Sequence, residues 1–307
     1  MASRIIEFFG YAPLDPAAQP FVVNKRCPFV AGDCIKPNHG ACSIQQITAP
    51  EPVICCPNRL YAESYKILCD IADFNFGLGS KLVKPVDAAA MLAAGTLTGN
   101  EVAVFGRYWG QELPLPRPPG VGSSEKRRYY VDWMLAKLNS DGSLADLTAV
   151  EVQTIDTTGN YSEQSVSFFA GQPFIDAKGR NPGFSDSGFN WENVNKRILP
   201  QLIYKGHVLR REAKCTKGLF FVCPKQVYDK IQDRLGGTMH VYQPQPGSIT
   251  FRSYELGPSV AQGTSRDIRY FDQFTTTVDQ VALAFTAPMN LPAPNVYELA
   301  IAAALKR

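Results

Sequence analysis

Two carboxylates near the middle of the chain stand at a spacing that chemistry can use. Glu151 and Gln153 lie in the run LTAVEVQTID (147–156), whose Ala149, Val150 and Val152 have strand character. A carboxylate in the apolar stretch of a strand is costly unless something neutralises it. Upstream, NSDGS (139–143) places Asp141-Gly142 as a two-residue hairpin signal. A turn centred there pairs residues whose numbers sum to 283, and Asp132 and Glu151 are such a pair. Their β-carbons would then face each other about 4.5–5.5 Å apart, with Gln153 on the same face two residues on. Directly opposed carboxylates repel, so one must keep a proton or a cation must sit between them. Mg2+ meets that need, since it is held by one or two carboxylates together with phosphate oxygens. The same residues also fit an acid turned outward to pair with Lys or Arg. Glycoside hydrolysis by a close carboxylate pair is a third option, but no sugar-binding aromatic pattern accompanies it.

A second set of reactive side chains lies near the N-terminus. Five of the eight cysteines fall between Cys27 and Cys56. Cys27, Cys34, Cys42 and either Cys55 or Cys56 could surround one tetrahedral ion, Zn2+ or a mononuclear iron. His39 could replace one thiolate, and small core residues or reactive thiols are the other reading. The chain reads as cytoplasmic, where disulfides are not expected.

The third feature is a basic stripe. Between Trp191 and Lys217, seven Lys and Arg residues, among them Lys196, Arg197, Lys205, Arg210 and Arg211, face only Glu192 and Glu212. The segment carries +5 and the rest of the chain −2, against +3 overall. Such a stripe is a candidate for DNA phosphate binding; a solvated helix face is the alternative.

The elements that must hold these residues read as a mixed α/β core. Helical patterns cover 60–74 and 85–95, the second opened by Pro85 and closed by Gly95. Strand-like runs follow at 101–109, 129–138 and 148–155. An amphipathic basic helix over 193–213, bent near Pro200, leads to a strand at 218–222 and a helix at 224–235. Strands at 248–256 and 267–275 precede two closing helices. Residues 1–59 are rich in Pro, Cys and turn residues and read as a metal-stapled subdomain, with 60–307 as the α/β catalytic domain. No apolar run reaches membrane-spanning length, so no membrane role is expected.

The hairpin with its two acids resembles the mixed-sheet PD-(D/E)xK restriction-endonuclease core. The first acid, however, sits in YVDW (130–133) rather than after Pro, and Gln153 stands where Lys is usual. Lysine can lend charge to a developing phosphorane, whereas glutamine can only orient by hydrogen bonds. The longer word order EFFG (7–10), CPF, CxK, GxC, CPNR (56–59), GQEL (110–113), DWMLA (132–136), EVQTID (151–156) and NVNKRILPQLIYK (193–205) resembles the NotI family of type II restriction endonucleases. That resemblance implies a structural iron site, matching Cys27, Cys34, Cys42 and Cys56, with CPNR selecting Cys56 over Cys55. It also implies catalytic roles for Glu112, Asp132, Glu151 and Gln153, with Mg2+ on Asp132 and Glu151. The stretch between Glu112 and Asp132 is longer here than in the family. The implied activity is Mg2+-dependent hydrolysis of double-stranded DNA at a palindrome by a homodimer, accompanied by a cognate DNA methyltransferase. A non-catalytic, metal-stapled DNA-binding regulator is the competing expectation.

Overall fold

The computed structural model describes residues 3–36, 41–115, 129–159, 161–172, 184–185, 188–236, 239–287 and 293–305. His39 lies outside them. The chain opens with β1 (Ser3–Glu7), α1 (Gln19–Asn24), the short pair β2 (Arg26–Cys27) and β3 (Gly32–Asp33), then β4 (Ser43–Gln46) and β5 (Val53–Ile54). β4 pairs antiparallel with both β1 and β5. The turn-rich composition thus conceals a small sheet. Its apolar residues Ile5, Phe8, Ile44 and Val53 are buried in one cluster with Ala149 and Phe221 of the main sheet. These residues share one core with the rest of the chain.

Then follow α2 (Ala62–Phe76), β6 (Lys81–Val83), α3 (Pro85–Ala93), β7 (Glu101–Gly106), β8 (Trp133–Leu138) and β9 (Leu144–Val152). The short β10 (Thr157–Thr158), α4 (Ser162–Phe169), β11 (Phe184–Ser185) and β12 (Gly188–Phe189) lead to α5 (Leu199–Leu209), β13 (Leu219–Pro224) and α6 (Lys225–Leu235). β14 (Ser248–Leu256), β15 (Ile268–Thr277), α7 (Val278–Thr286) and α8 (Val296–Leu305) close the chain. Seven strands form one mixed sheet in the order β15-β14-β13-β9-β8-β7-β6. The β6–β7, β9–β13 and β13–β14 pairs are parallel and the others antiparallel. β13, LFFVCP, is apolar throughout because it is buried on both faces. Among the described residues no helix is long and apolar enough to cross a membrane.

The ladder has the expected register: Trp133 pairs with Val150, Met134 with Ala149 and Leu135 with Thr148, each pair summing to 283. The turn is wider than two residues. Asn139 accepts from Gly142 and donates to Ser143, and the register slips between Lys137 and Leu138. Strand alternation then sorts the side chains. One face carries Trp133, Val150, Val152 and Phe220 against α2. The other carries Ala149, Phe221 and Phe251 against α5, α6 and α7, and Glu151 belongs to that second face.

The basic helix is interrupted as expected, by a particular device. Pro200 lacks an N–H, and its ring collides with the carbonyl four residues back. A five-residue π turn, Val194–Ile198, fills the gap, with Leu199 N–H donating to Val194 O. Helix α5 then approaches α7 closely at Gly206, where a β-carbon would run into the side chain of Val278.

Candidate active site

Glu151 is the penultimate residue of β9, the central strand of the sheet, and is only 7 % exposed. Asp132 immediately precedes β8 on the neighbouring strand, and its Oδ2 accepts the backbone N–H of Val152 at 2.7 Å. That bond fixes Asp132 beside Glu151 on the helix-covered face. The next residue, Trp133, anchors the strand on the opposite face. It is 1 % exposed, donates Nε1–H to Tyr61 Oη at 3.1 Å and meets Tyr61 and Tyr65 edge-on. Gly106 lies across from it, where a β-carbon would overlap the indole ring.

Burial raises the pKa of both acids, and the Asp132 charge adds to the rise at Glu151. Burial, then the neighbouring Asp132 charge, pushes Glu151 up to about 7 against the opposing pull of Lys205. Burial also raises Asp132, with the Val152 N–H and Lys205 pulling it down and Glu112 adding to the rise. Glu112 is therefore within electrostatic reach of the pair, although it sits exposed in the loop after β7. Gln153 follows β9; its backbone N–H donates to Val222 O at 3.0 Å, and it is half-buried.

Lys205 has a different place from the one expected of a phosphate-binding stripe. It is 4 % exposed, and its Nζ reaches Glu151 Oε1 at 2.5 Å. The other oxygen, Glu151 Oε2, is buried without a hydrogen-bond partner among the described residues. The periodicity of α5 carried the signal for this. Leu202, Lys205, Gly206 and Leu209 all fall on the buried stripe, so Lys205 is a cation on a core face. Lys196, Arg197, Arg210 and Arg211 are exposed as expected. Arg197 pairs with Asp156 at 3.0 Å and Arg210 with Asp279 at 2.7 Å, exposed pairs of the kind that contribute about 0–1 kcal/mol and can yield to phosphate.

The cysteine segment converges on Cys56. Cys56 adds to the pKa rise of Cys27, Cys34 and Cys42 and of Cys55 as well, and Cys55 turns its thiol to the Ala41 carbonyl at 3.2 Å. Burial raises the four candidate thiols, Cys34 to about 11. Among the described residues no three His, Cys, Asp or Glu side chains stand close enough together to hold a metal.

Residues 117–235 match the family model described as restriction endonuclease NotI. The resemblance drawn from the sequence words is borne out over that segment, which includes Asp132, Glu151, Gln153 and the basic helix. Glu112 and the candidate metal ligands Cys27, Cys34, Cys42 and Cys56 lie outside the match. Restriction endonuclease, nuclease, hydrolase and DNA-binding protein are the descriptions that go with this family. No curated protein matches the chain.

Proposed function

We propose that this protein is a type II restriction endonuclease that hydrolyses double-stranded DNA at a specific palindrome with Mg2+. One observation carries the reading. Two acids, Asp132 and Glu151, are held together at the centre of the sheet inside the segment that matches a restriction endonuclease family. The donors suit a hard divalent cation: both are carboxylates, burial raises both, and Glu151 Oε2 is buried with no partner among the described residues. Asp132 and Glu151 would hold Mg2+, with Glu112 in support. When bound, Mg2+ supplies charge neutralisation at the scissile phosphate and a water of lowered pKa.

The chain's own residues do the rest. Val152 N–H fixes one oxygen of Asp132 and leaves the other free to ligate. Gln153 offers an amide that can orient a water through one donor and one acceptor. Lys196, Arg197, Arg210 and Arg211 would grip the DNA backbone, which sets position without reading bases. A palindromic target requires a two-fold homodimer with one site per half. Cys27, Cys34, Cys42 and Cys56 are the proposed ligands of a structural Zn2+ or iron, supported by their convergence on Cys56. The thiols would have to draw closer around it than they stand here.

Supercoiled plasmid and sequenced genomic DNA, each incubated with Mg2+, test the activity. Cutting at one recurrent sequence is the expected result. Glu151→Ala should abolish cutting while specific binding in Ca2+ persists; binding without cutting by the wild-type protein would identify a DNA-binding regulator instead.

A further inference from the structure

We propose that Lys205 is the active-site cation of this enzyme, delivered from helix α5 in place of the lysine that position 153 lacks. The proposal rests on the nuclease reading above and adds a residue to it. The observation is geometric: an ammonium that is 4 % exposed lies 2.5 Å from Glu151 Oε1, on the face of the sheet that also carries Asp132. A lysine at 153 would reach this point from the end of β9; Lys205 reaches it from the helix packed across β9.

Its approach is built into the fold. The π turn at Val194–Ile198 resets the helix before Pro200, and Gly206 lets α5 settle against Val278. Buried Leu202 and Leu209 flank Lys205 on the same stripe. A purely structural role explains the arrangement poorly. A buried ion pair is rarely more stabilising than an apolar pair of the same size, and this one leaves Glu151 Oε2 without a hydrogen bond among the described residues. Gln153 is uncharged, and its side chain makes no hydrogen bond with another described side chain that would bring a cation to the acids.

In the reaction, the attacking water forms a bond to phosphorus and loses a proton to solvent. The bond from phosphorus to the leaving sugar oxygen breaks, and that oxygen takes a proton from solvent. Charge builds on the non-bridging phosphate oxygens in between. Lys205, once freed from Glu151, would donate hydrogen bonds and positive charge to those oxygens, with Asp132 and Glu151 the residues that would hold Mg2+. It exchanges no proton in this role.

Single-turnover cleavage of a duplex carrying the target, followed across a Mg2+ titration and paired with DNA binding in Ca2+, tests the assignment. Lys205→Met should lower the cleavage rate at saturating Mg2+ by about 10²–10³-fold, the range for removing one preorganised transition-state donor. DNA binding in Ca2+ should stay within about threefold, as expected where an interaction belongs to the transition state. At a pH above the Glu151 transition, where protons no longer compete, the Mg2+ concentration at half-maximal rate should fall, because no ammonium then holds Glu151 Oε1. Adding Gln153→Lys to Lys205→Met should restore at least about tenfold of the lost rate, a rescue that a structural lysine would not allow. Lys205→Gln serves the same comparison if the methionine variant does not fold. A rate within about threefold of wild type in either variant, a parallel loss of binding and cleavage, or no rescue by Gln153→Lys would overturn the proposal. Failure of the wild-type protein itself to cut would instead remove the nuclease reading, and Lys205's role with it.

Discussion

Protons and metal should compete for the Asp132–Glu151 pair near neutral pH, and the structure sets the size of the effect. Burial and the Asp132 charge lift Glu151 from an ordinary 4.5 to about 7. About one-tenth of it is then ionised at pH 6 and about nine-tenths at pH 8, so apparent metal affinity should rise about tenfold between them and level off above. Metal binding should release about 0.9 proton at pH 6 and about 0.1 at pH 8. Calorimetric titration with Ca2+ in buffers of different ionisation enthalpy measures both numbers without chemistry intervening. Folding stability of the metal-free protein should carry the matching signature. Between pH 4.5 and about 7 the unfolded chain has lost this proton and the folded chain retains it. The folded state binds more protons in that window, so stability falls as pH rises through it, by about 3 kcal/mol at ~1.4 kcal/mol per pH unit. Lys205 opposes the rise, so Lys205→Met should move the transition to higher pH. A Ca2+ affinity that does not change between pH 6 and 8, with no proton release, would refute the electrostatic account of the pair.

Gly106→Ala should destabilise the fold by about 1–3 kcal/mol through overpacking, because the new methyl meets the Trp133 ring and the Asp132 carbonyl; urea unfolding measures the loss, and cleavage should fall with it. Arg211→Ala should lower DNA affinity for all sequences and reduce the salt dependence of binding by about 0.9 in log–log slope, as for one lost phosphate contact. An unchanged slope would take Arg211 out of the interface. Elemental analysis of purified protein should find about one Zn or Fe per chain, and Cys34→Ser should lose it; a metal-free but folded wild-type protein would remove the structural ion.

Much of this site was legible in the sequence because periodicity carries it. The register that brings Asp132 opposite Glu151 follows from one Asp-Gly turn and the two-residue repeat of strands, and the ladder from Trp133–Val150 onward obeys it even though the loop beyond Leu138 is wider. Helices opened by Pro85 and interrupted at Pro200 were equally readable, since proline acts locally. Lys205 departs from the phosphate-stripe expectation because net charge along a segment is blind to which way each helical residue faces. A hydrophobic stripe at Leu202 and Leu209 already placed residue 205 inside. The role of the first 58 residues was hidden for another reason. Ile5, Phe8, Ile44 and Val53 are too scattered to show a period, and their partners lie more than 90 residues away in β9 and β13.

That distant partnership explains how the cluster of Asp132, Glu151 and Lys205 can be so poorly satisfied. Two apposed carboxylates, a buried ammonium and an Oε2 without a hydrogen bond among the described residues are each unfavourable on their own, and they meet around Glu151 of β9 at the centre of the sheet. Local strain of this kind persists only where the surroundings over-determine it. Here β9 is paired on both sides, by β8 and β13, and covered on both faces, by α2 and α5. The N-terminal segment extends that cover. Phe8 stacks on Phe168 of α4 at 4.1 Å, and Ser3 bonds Tyr161 at 2.6 Å. Fully buried Arg59 joins Glu7 of β1 to the carbonyl of Arg266, which lies just before β15. The link between residues 151 and 161 is thereby clamped from the N-terminal side while Gln153 remains at the site. The cysteine segment and the acids are thus parts of one packed body, and a change that loosens the first should be felt as lost precision in the second before it is felt as unfolding.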